Sequence, residues 1–297
     1  PAVATAGRHL RLLTGQAGDE QLDADGLDVE LANIRRGLPQ VHAEFIDVGE
    51  QHLFSVRYQP PGHVPDRQHA VLLCHPYGHE YVRAYRNLQQ LAIQLASAGF
   101  HVLRFDYRGT GNSSGQCGEC RAESMLEDVG QAAAHLRSAT GCSQLSLVGM
   151  RLGATLVARS SLKDISSRVL WDPIAVGSAM LQLFERHHHY ALTSQTRFPR
   201  IVRTADARQL FGHAGDREKW MSFAELTLPT SGGPDDCLIL SRGYSQAEPG
   251  LESIAAGWKT ITVADDIHWQ RPEFTESAFS SPEAARHIMA FLTGAGG

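Results

Sequence analysis

Through most of the chain, short apolar runs alternate with segments of helical periodicity, and this alternation constrains the fold more than any other feature of the sequence. The runs predicted as strands are Val71–Cys74, Phe100–Tyr107, Leu145–Gly149, Arg168–Trp171, Leu238–Ser241 and Thr260–Val263. The segments predicted as helices are 88–95, Glu123–Arg137, Leu152–Leu162 and one that begins near Ser281. Strands that alternate with helices form βαβ units, in which helices cover both faces of a parallel sheet. The sequence therefore predicts an α/β fold with a mainly parallel sheet.

Two segments depart from the alternation. His42–Val48 and Leu53–Tyr58 are joined by a short connection, which predicts an antiparallel hairpin at one edge of the sheet. Between residues 172 and 235 no strand is predicted, so we expect a helical cap over the strand ends, with helices at Met180–Tyr190 and Glu218–Leu226. The predicted domains are an N-terminal extension (1–40), the first part of the α/β core (41–174), a helical cap or lid (175–234) and the second part of the core (235–297).

The composition argues against several classes of protein. A formal net charge of -5 with a pI near 6.3 gives no basis for nucleic-acid binding, and no polybasic run points to an acidic membrane surface. No apolar run approaches the roughly 18 residues of a membrane span, and the N-terminal residues lack the apolar core of a signal peptide. We therefore expect a cytoplasmic protein without a nucleic-acid partner or a membrane span.

The cysteines and consecutive histidines do not form a recognisable metal site. An odd number of cysteines, 5 in a long chain, fits reduced thiols better than a disulfide framework. Cys117 and Cys120 form one C-x-x-C, but no second ligand pair has matching spacing. His187, His188 and His189 lie in a predicted helix, where neighbouring side chains point in different directions. We expect neither a metal nor a cofactor.

The segment from Leu145 to Ala154 is an apolar strand, a tight turn and the start of a helix. Gly149 and Gly153 flank the turn, and glycine at these places permits a close approach of strand and helix. This is the setting of the nucleophile elbow G-x-S-x-G, whose central side chain is exposed at the top of a sheet. The central residue here is Arg151.

Two further segments follow the preceding strands in the right order: Asp106–Ser113, which is rich in glycine, and the loop His75–Glu80. Together with the elbow they resemble the α/β-hydrolase superfamily, over roughly residues 42–292. The resemblance implies an α/β-hydrolase fold. More narrowly, H-P-Y-G-x-E, F-D-Y-x-G-x-G and G-x-R-L-G-A resemble a branch of hydrolase-like proteins encoded beside exosortase and natural-product assembly systems.

The resemblance also implies catalytic positions. The nucleophile position falls on Arg151, and the histidine that follows the last strand is His268. The acid usually follows the penultimate strand, where the first carboxylate is Glu248. Some members place the acid one strand earlier, which here gives Asp172. We favour Asp172 and keep Glu248 as the alternative.

The loop after the first parallel strand lies where this superfamily builds half of its oxyanion hole. Backbone N–H groups and a tyrosine in that loop would stabilise developing negative charge. The oxyanion and substrate-binding residues implied in this way are His75, Tyr77, Gly78, Glu80, Met150 and Leu152.

The arginine at the elbow has a firm chemical consequence. A guanidinium has a pKa above about 12 and no accessible lone pair, so it cannot attack an acyl carbon. At a helix N-terminus, however, Arg151 is suited to bind a carboxylate or phosphate bidentately. The alternative is an internal ion pair with Glu80 or Asp172, as the relic of an inactive site.

Three hypotheses for the function follow. The first is an enzyme acting on an anionic, small or carrier-linked acyl intermediate, with Arg151 as anion anchor and His268, assisted by Asp172, as general base. Hydrolysis, elimination and rearrangement all fit this arrangement. The second is a non-catalytic binding or scaffold protein. The sequence leaves the oligomeric state open, and a homodimer is compatible with it.

The third hypothesis is a hydrolase with a displaced cysteine or serine nucleophile. Cys74 and Cys142 are candidates, but each adjoins an apolar strand, which favours buried packing. Ser113 and Ser114 lie in a glycine-rich turn, for which a structural role is the better interpretation.

Overall fold

A computed structural model of the chain describes residues 37–193, 209–242, 244, 248–275 and 277–294. The predicted N-terminal extension therefore lies outside the described residues, except for residues 37–40. Among the described residues, none of the helices combines the length and the apolar character needed to cross a membrane.

A single large sheet of eight strands forms the centre of the described structure. The strands of the described residues, in chain order, are β1 (Gln40–Val48), β2 (Gln51–Gln59), β3 (His69–Cys74), β4 (His101–Phe105), β5 (Gln144–Met150), β6 (Ser167–Trp171), β7 (Gln209–Leu210), β8 (His213–Ala214), β9 (Asp236–Ser241) and β10 (Lys259–Val263). Strands β7 and β8 form a separate pair outside the large sheet. The spatial order in the large sheet is β1-β2-β4-β3-β5-β6-β9-β10. Strand β2 is antiparallel to both β1 and β4, and the remaining neighbours are parallel.

Helices follow most of the parallel strands. Their bounds are α1 (His79–Ser97), α2 (Ala122–Thr140), α3 (Leu152–Arg159), α4 (Gly177–Thr193), α5 (Arg217–Ala224), α6 (Leu251–Ala255) and α7 (Pro282–Thr293). Sequence features explain several of these bounds. Helix α2 ends at Gly141 in a left-handed conformation, which glycine adopts without steric cost, and α7 begins with Pro282 in its first turn.

The predicted alternation of strands and helices is confirmed, because each predicted parallel strand and the leading hairpin are present. Strand β3 is buried at all six positions, as expected for a central strand covered on both faces. Hairpin strands β1 and β2 pair in register from Gln40 with Gln59 to Val48 with Gln51. Periodicity alone was sufficient here, because burial of one or both faces leaves a direct pattern in the sequence.

The insertion between β6 and β9 contains α4 and α5, close to the two helices predicted there. The prediction that it holds no strand is wrong, because β7 and β8 form an antiparallel pair of two residues each. Strands this short carry no detectable alternation. The turn of this pair lies against the start of α1, where the ring of Phe211 stacks on His79 at 4.4 Å between ring centroids.

Candidate functional site

The elbow is formed by the end of β5, Arg151 and the start of α3. Arg151 has φ 54° and ψ −122°, a conformation that non-glycine residues rarely adopt. The flanking glycines are required by close packing: a Cβ on Gly149 would lie 2.5 Å from the Cα of Ala154, and one on Gly153 would lie 2.3 Å from the carbonyl oxygen of Cys74. The backbone of a nucleophile elbow is therefore present, with arginine at its tip.

The guanidinium of Arg151 is fully buried and is held by internal partners. Its Nε donates to both carboxylate oxygens of Glu80 at 3.0 Å, and Nη2 donates to Oε1 of Glu80 at 2.8 Å. Its Nη1 donates to the backbone oxygen of Asp172 at 3.2 Å and to the hydroxyl of Tyr244. The rings of Tyr244 and Trp269 lie against it, with centroids 4.9 and 5.0 Å from Cζ.

The electrostatics of this cluster hold the arginine in its charged form. Burial opposes the charge, but Glu80, Tyr244 and Glu248 together outweigh burial and raise the pKa of Arg151. Both partners are buried, at 0% and 1% side-chain exposure. All three guanidinium nitrogens therefore already have hydrogen-bond partners within the protein.

Asp172 belongs to the same buried cluster through hydrogen bonds to its carboxylate. Its Oδ1 accepts from the backbone N–H of Ser241 at 2.7 Å. Its Oδ2 accepts from the hydroxyl of Ser241 at 2.7 Å and from the indole Nε1 of Trp269 at 2.8 Å. Burial raises the pKa of Asp172, while these hydrogen bonds oppose the rise. The indole of Trp269 thus occupies a carboxylate oxygen that a catalytic imidazole would use.

His268 lies in the loop after the last strand, next to Trp269, but its imidazole has other neighbours. Its Nδ1 is 3.5 Å from a carboxylate oxygen of Asp266, and its ring lies on Phe274 with centroids 4.4 Å apart. The backbone carbonyl of His268 accepts a hydrogen bond from Arg83 at 3.3 Å. Within the described residues, no hydrogen bond joins the imidazole to the Arg151 cluster.

Glu248, the alternative acid, is buried at the edge of the cluster. Its carboxylate accepts from the backbone N–H of Ala175 at 3.3 Å and from the side-chain amide of Gln270 at 3.2 Å. Burial raises the pKa of Glu248, and the nearby charge of Arg151 opposes the rise. Glu80, Asp172 and Glu248 thus all lie near the charge of Arg151.

The remaining predicted binding residues are buried. Met150 and Leu152 are both 0% exposed, and Tyr77 packs against Phe223 with ring centroids 5.0 Å apart. Gly78 has φ 66° and precedes α1, on which Glu80 reaches Arg151. His75 points away from this cluster into a separate cavity.

A cluster around Cys117 was not predicted from the sequence. The thiol sulfur lies 3.6 Å from Nδ1 of His213 and 3.6 Å from Nζ of Lys219, and the hydroxyl of Tyr77 is 3.8 Å away. The hydrogen bond with His213 and the charge of Lys219 lower the pKa of Cys117 to about 7, against the opposing effect of burial. The C-x-x-C was the only signal, since His213 is 96 residues away in sequence.

The nucleophile candidates taken from the sequence have structural surroundings. Burial raises the pKa of Cys74 to about 12 and also raises that of Cys142. The hydroxyl of Ser113 donates to the backbone oxygen of Asp106 at 2.5 Å, and that of Ser114 donates to the backbone oxygen of His52 at 3.0 Å. Both serines thus connect the glycine-rich turn to the sheet.

No group of three or more metal-ligating side chains suited to an ion occurs in the part of the chain that the structure describes. The imidazoles of His187 in α4 and His79 in α1 form a pair, with Nδ1 of His187 3.4 Å from Nε2 of His79. His188 instead accepts a hydrogen bond from the backbone of Phe211 at 3.2 Å.

A comparison with protein families gives a match over part of the chain. A family model described as serine aminopeptidase, S33, matches residues 65–192, which is less than half of the chain. No curated protein matches the sequence.

Solved structures match over nearly the whole chain. A fungal esterase from Rhizomucor miehei shares 16% identity at a TM-score of 0.54, over 98% of this chain and 95% of that one. A carboxylesterase from the thaumarchaeon Nitrososphaera gargenis shares 15% identity at a TM-score of 0.54, over 84% of this chain and 98% of that one. The thioesterase domain from the curacin biosynthetic pathway shares 14% at a TM-score of 0.50, over 85% and 99%. The α/β-hydrolase fold is thereby confirmed, and at such identities only the fold is shared.

Proposed function

We propose that this protein is a pseudohydrolase: it keeps the α/β-hydrolase scaffold, forms no acyl-enzyme at the elbow, and binds a small molecule instead of cleaving an ester there. The observation that carries the proposal is the complete burial of Arg151 in a bidentate pair with Glu80. An arginine cannot serve as nucleophile, and this one is also closed to solvent.

The competing hypothesis makes Arg151 an anchor for an anionic substrate. A substrate carboxylate would have to displace Glu80, which would then remain buried without a partner. Removing one member of a buried ion pair costs about 3–5 kcal/mol, more than a typical hydrogen bond returns. The energetics therefore favour Arg151 as a structural side chain.

The same hypothesis needs His268 as a base oriented by Asp172. The carboxylate of Asp172 accepts hydrogen bonds from Ser241 and Trp269, and the imidazole of His268 lies beside Asp266. An imidazole beside an exposed carboxylate is a weaker base than one that a buried carboxylate holds in a triad. The catalytic roles of these residues, the branch resemblance, the carrier-linked substrate, the cytoplasmic location and the oligomeric state stay predictions from the sequence.

The test compares turnover in four proteins: the wild type, His268→Ala, Asp172→Asn and the matched control His287→Ala, which alters a histidine on α7. We expect no hydrolysis of p-nitrophenyl esters or acyl thioesters that depends on His268 or Asp172, and no labelling of the wild type by a fluorophosphonate. Turnover abolished in His268→Ala but retained in His287→Ala, with both proteins folded, would refute the proposal.

A second candidate function is favoured by the contact between Cys117 and His213. A thiol with a pKa of about 7 is partly ionised at neutral pH, and the thiolate is the nucleophilic form. In such a thiol hydrolase, the sulfur would attack an acyl carbonyl carbon and release an alcohol or thiol, which takes a proton from His213. Water would then cleave the acyl-thioenzyme, with His213 accepting the proton.

This second function has its own test. Hydrolysis of acyl thioesters should vanish in Cys117→Ser and in His213→Ala, and remain in Cys142→Ser, which changes another cysteine. A wild type that forms no acyl adduct on Cys117, detected by intact mass after incubation with an activated thioester, excludes it.

A further inference from the structure

A cavity of about 300 Å³ lies between α1 and the adjoining strands β2, β3 and β4. Its lining contains none of the residues of the Arg151 cluster. It reaches solvent beside Tyr85, which is 44% exposed, and beside the exposed Gly111 and Asn112. The volume is at the lower end of the range for small-molecule sites, which run from about 300 to 1,000 Å³.

His75 lines this cavity with a hydrogen-bond acceptor that has no donor among the described residues. Its Nδ1 lies 2.5 Å from the carbonyl oxygen of Pro76, and because a carbonyl only accepts, Nδ1 carries the hydrogen. Burial lowers the pKa of His75 to about 4, so the ring is neutral and Nε2 has a free lone pair at pH 7. That nitrogen is buried without a hydrogen-bond partner among the described residues.

A carboxylate oxygen, which is another acceptor, lies near Nε2 of His75. Oδ1 of Asp106 lies 4.0 Å away and already accepts from the hydroxyl of Tyr81 at 2.7 Å. Two acceptors facing each other at this distance do not satisfy one another. A ligand hydroxyl in the cavity would supply the missing donor to Nε2.

Arg104 of β4 presents the complementary group. Its guanidinium lies over the rings of Tyr58 and Tyr85, and Nη2 meets the Tyr58 hydroxyl at 3.1 Å. Its Nε is buried without a partner, and no carboxylate pairs with it in the described part of the chain. Burial opposes the charge, but the two tyrosine hydroxyls outweigh burial and raise the pKa of Arg104. A buried guanidinium without a counter-ion is a site for a carboxylate.

The walls of the cavity favour a ligand with an apolar ring. Aromatic and aliphatic side chains line it beside the polar groups, among them Phe54, Phe105, Leu73 and Leu88. His75 and Arg104 both line this space, and the charge of Arg104 acts on the His75 ring. A small ring that carries one hydroxyl and one carboxylate would supply the donor and the anion that these two groups lack.

We propose that this cavity binds a monocyclic aromatic hydroxy acid, with the hydroxyl donating to Nε2 of His75 and the carboxylate accepting from Arg104. This deepens the proposed binding function and rests on it, since it names the site and the class of ligand. The ring lies among the aromatic side chains, where ring contacts add to the burial of apolar surface.

Isothermal titration calorimetry of the full chain tests the site with three probes: 4-hydroxybenzoate, benzoate and phenol. We expect 4-hydroxybenzoate to bind about 3–10-fold more tightly than benzoate, which lacks the hydroxyl, and about 10–100-fold more tightly than phenol, which lacks the carboxylate. This series needs no variant, so it does not depend on how any substitution folds.

Two variants then assign the contacts. His75→Phe keeps a ring beside Tyr81 but removes Nε2, so it should bind 4-hydroxybenzoate and benzoate equally. Arg104→Gln should bind 4-hydroxybenzoate no more tightly than phenol. The matched control Arg137→Gln removes an exposed guanidinium of α2, which donates to the backbone oxygens of Lys163 and Asp164, and should leave all three affinities unchanged.

No heat of binding for 4-hydroxybenzoate at millimolar concentration overturns the proposal, as does equal affinity for all three probes. Such a result is distinct from failure of the pseudohydrolase proposal, which shows as turnover that depends on His268 or as fluorophosphonate labelling of the wild type. Binding that persists unchanged in Arg104→Gln overturns the assigned carboxylate site.

Discussion

Arg151 has to satisfy two demands at one position. The first is conformational: a residue other than glycine at φ 54° costs on the order of 1–3 kcal/mol in backbone strain. The second is electrostatic: a buried guanidinium must be fully hydrogen-bonded. Glu80 and Tyr244 meet the second demand, and their contacts together with the close packing of α3 hold the strained backbone in place. The position therefore stabilises the elbow only while its partners are present.

Replacing Arg151 by Met should lower the free energy of unfolding by about 3–5 kcal/mol, because the carboxylate of Glu80 is left buried without a partner. The double variant Arg151→Met, Glu80→Gln should recover more than half of this loss. Urea denaturation measures both, with the midpoint shifting at constant slope. Equal losses in the single and double variants would mean that the ion pair does not set the stability of the elbow.

Cys117 should be the most reactive of the cysteines. Iodoacetamide should alkylate it with a pH midpoint near 7, and His213→Ala should slow the reaction about 10-fold at pH 7 by returning the thiol to its ordinary range. Peptide mass spectrometry follows the reaction, with Cys142 as the internal control. A midpoint above pH 8 in the wild type would contradict the described contact.

At the scale of elements, the elbow is a contact between backbones. Strand β5, the loop after β3 and helix α3 approach so closely that glycine is the only residue that fits at 149 and 153. The close approach of these backbones thus depends on two glycines and does not require a serine between them. This explains how the elbow persists without its serine.

Gly149→Ala and Gly153→Ala should each destabilise the fold by about 1–3 kcal/mol or more, because the added methyl group meets backbone atoms that cannot rotate away. The control is Gly130→Ala in α2, where an added Cβ meets nothing within 4 Å, and which should stabilise by about 0.5–1 kcal/mol. Thermal denaturation of the three variants checks the order. A neutral Gly153→Ala would contradict the described packing.

The segment between β6 and β9 contacts α1 partly through histidines. His79, the first residue of α1, stacks on Phe211 between β7 and β8, and its Nε2 lies 3.4 Å from Nδ1 of His187 in α4. Burial lowers the pKa of His79 to about 3, and the nearby charges of His187, Arg83, His213 and Arg151 act in the same direction. Burial also lowers the pKa of His187, which the carboxylate of Glu80 and the backbone of Gln270 oppose.

Acid should therefore destabilise the protein through His79. The folded pKa lies below the ordinary 6.5, so this contribution to stability is fully present above pH 6.5 and is lost as the pH falls toward 3. The loss amounts to at most about 1.4 kcal/mol per pH unit for this group. His79→Gln should reduce that slope in urea denaturation between pH 6 and 4, whereas His63→Gln, at an exposed position, should not. An unchanged slope in His79→Gln would contradict the prediction.

Across the whole molecule, Asp172 connects segments that are far apart in the sequence. Ser241 ends β9 and Trp269 follows β10, 69 and 97 residues from Asp172, and both donate to its carboxylate. Through its backbone oxygen Asp172 also accepts from Arg151 of the elbow. One buried residue, which itself follows β6, is thus hydrogen-bonded to residues at or beyond the carboxyl ends of β5, β9 and β10.

Asp172→Asn should lower the free energy of unfolding by at least about 2 kcal/mol, because its amide group would face the donors of Ser241 and Trp269. Ser241→Ala removes one donor and should cost about 1 kcal/mol. Chemical denaturation monitored by tryptophan fluorescence compares the two. A loss in Asp172→Asn no larger than in Ser241→Ala would show that the three hydrogen bonds do not act together.

Much of the candidate site could be predicted from the sequence. The elbow at 149–153 and the internal pairing of Arg151 with Glu80 were both considered from motifs, because a strand, a turn and flanking glycines are local features. The partner of Asp172 was not predictable. His268 and Trp269 are adjacent, and which of them faces Asp172 depends on the path of a loop that no local pattern describes.

The sequence by itself determined the alternation of strands and helices, the leading hairpin and the backbone of the elbow, since hydrophobic periodicity and the sterics of glycine act over a few residues. Only the tertiary structure decided which side chains meet: Arg151 with Glu80, Asp172 with Trp269, Cys117 with His213, and His75 with Arg104 around one cavity. These contacts join residues on separate elements, and their distances follow from the packing of the whole sheet and its cap.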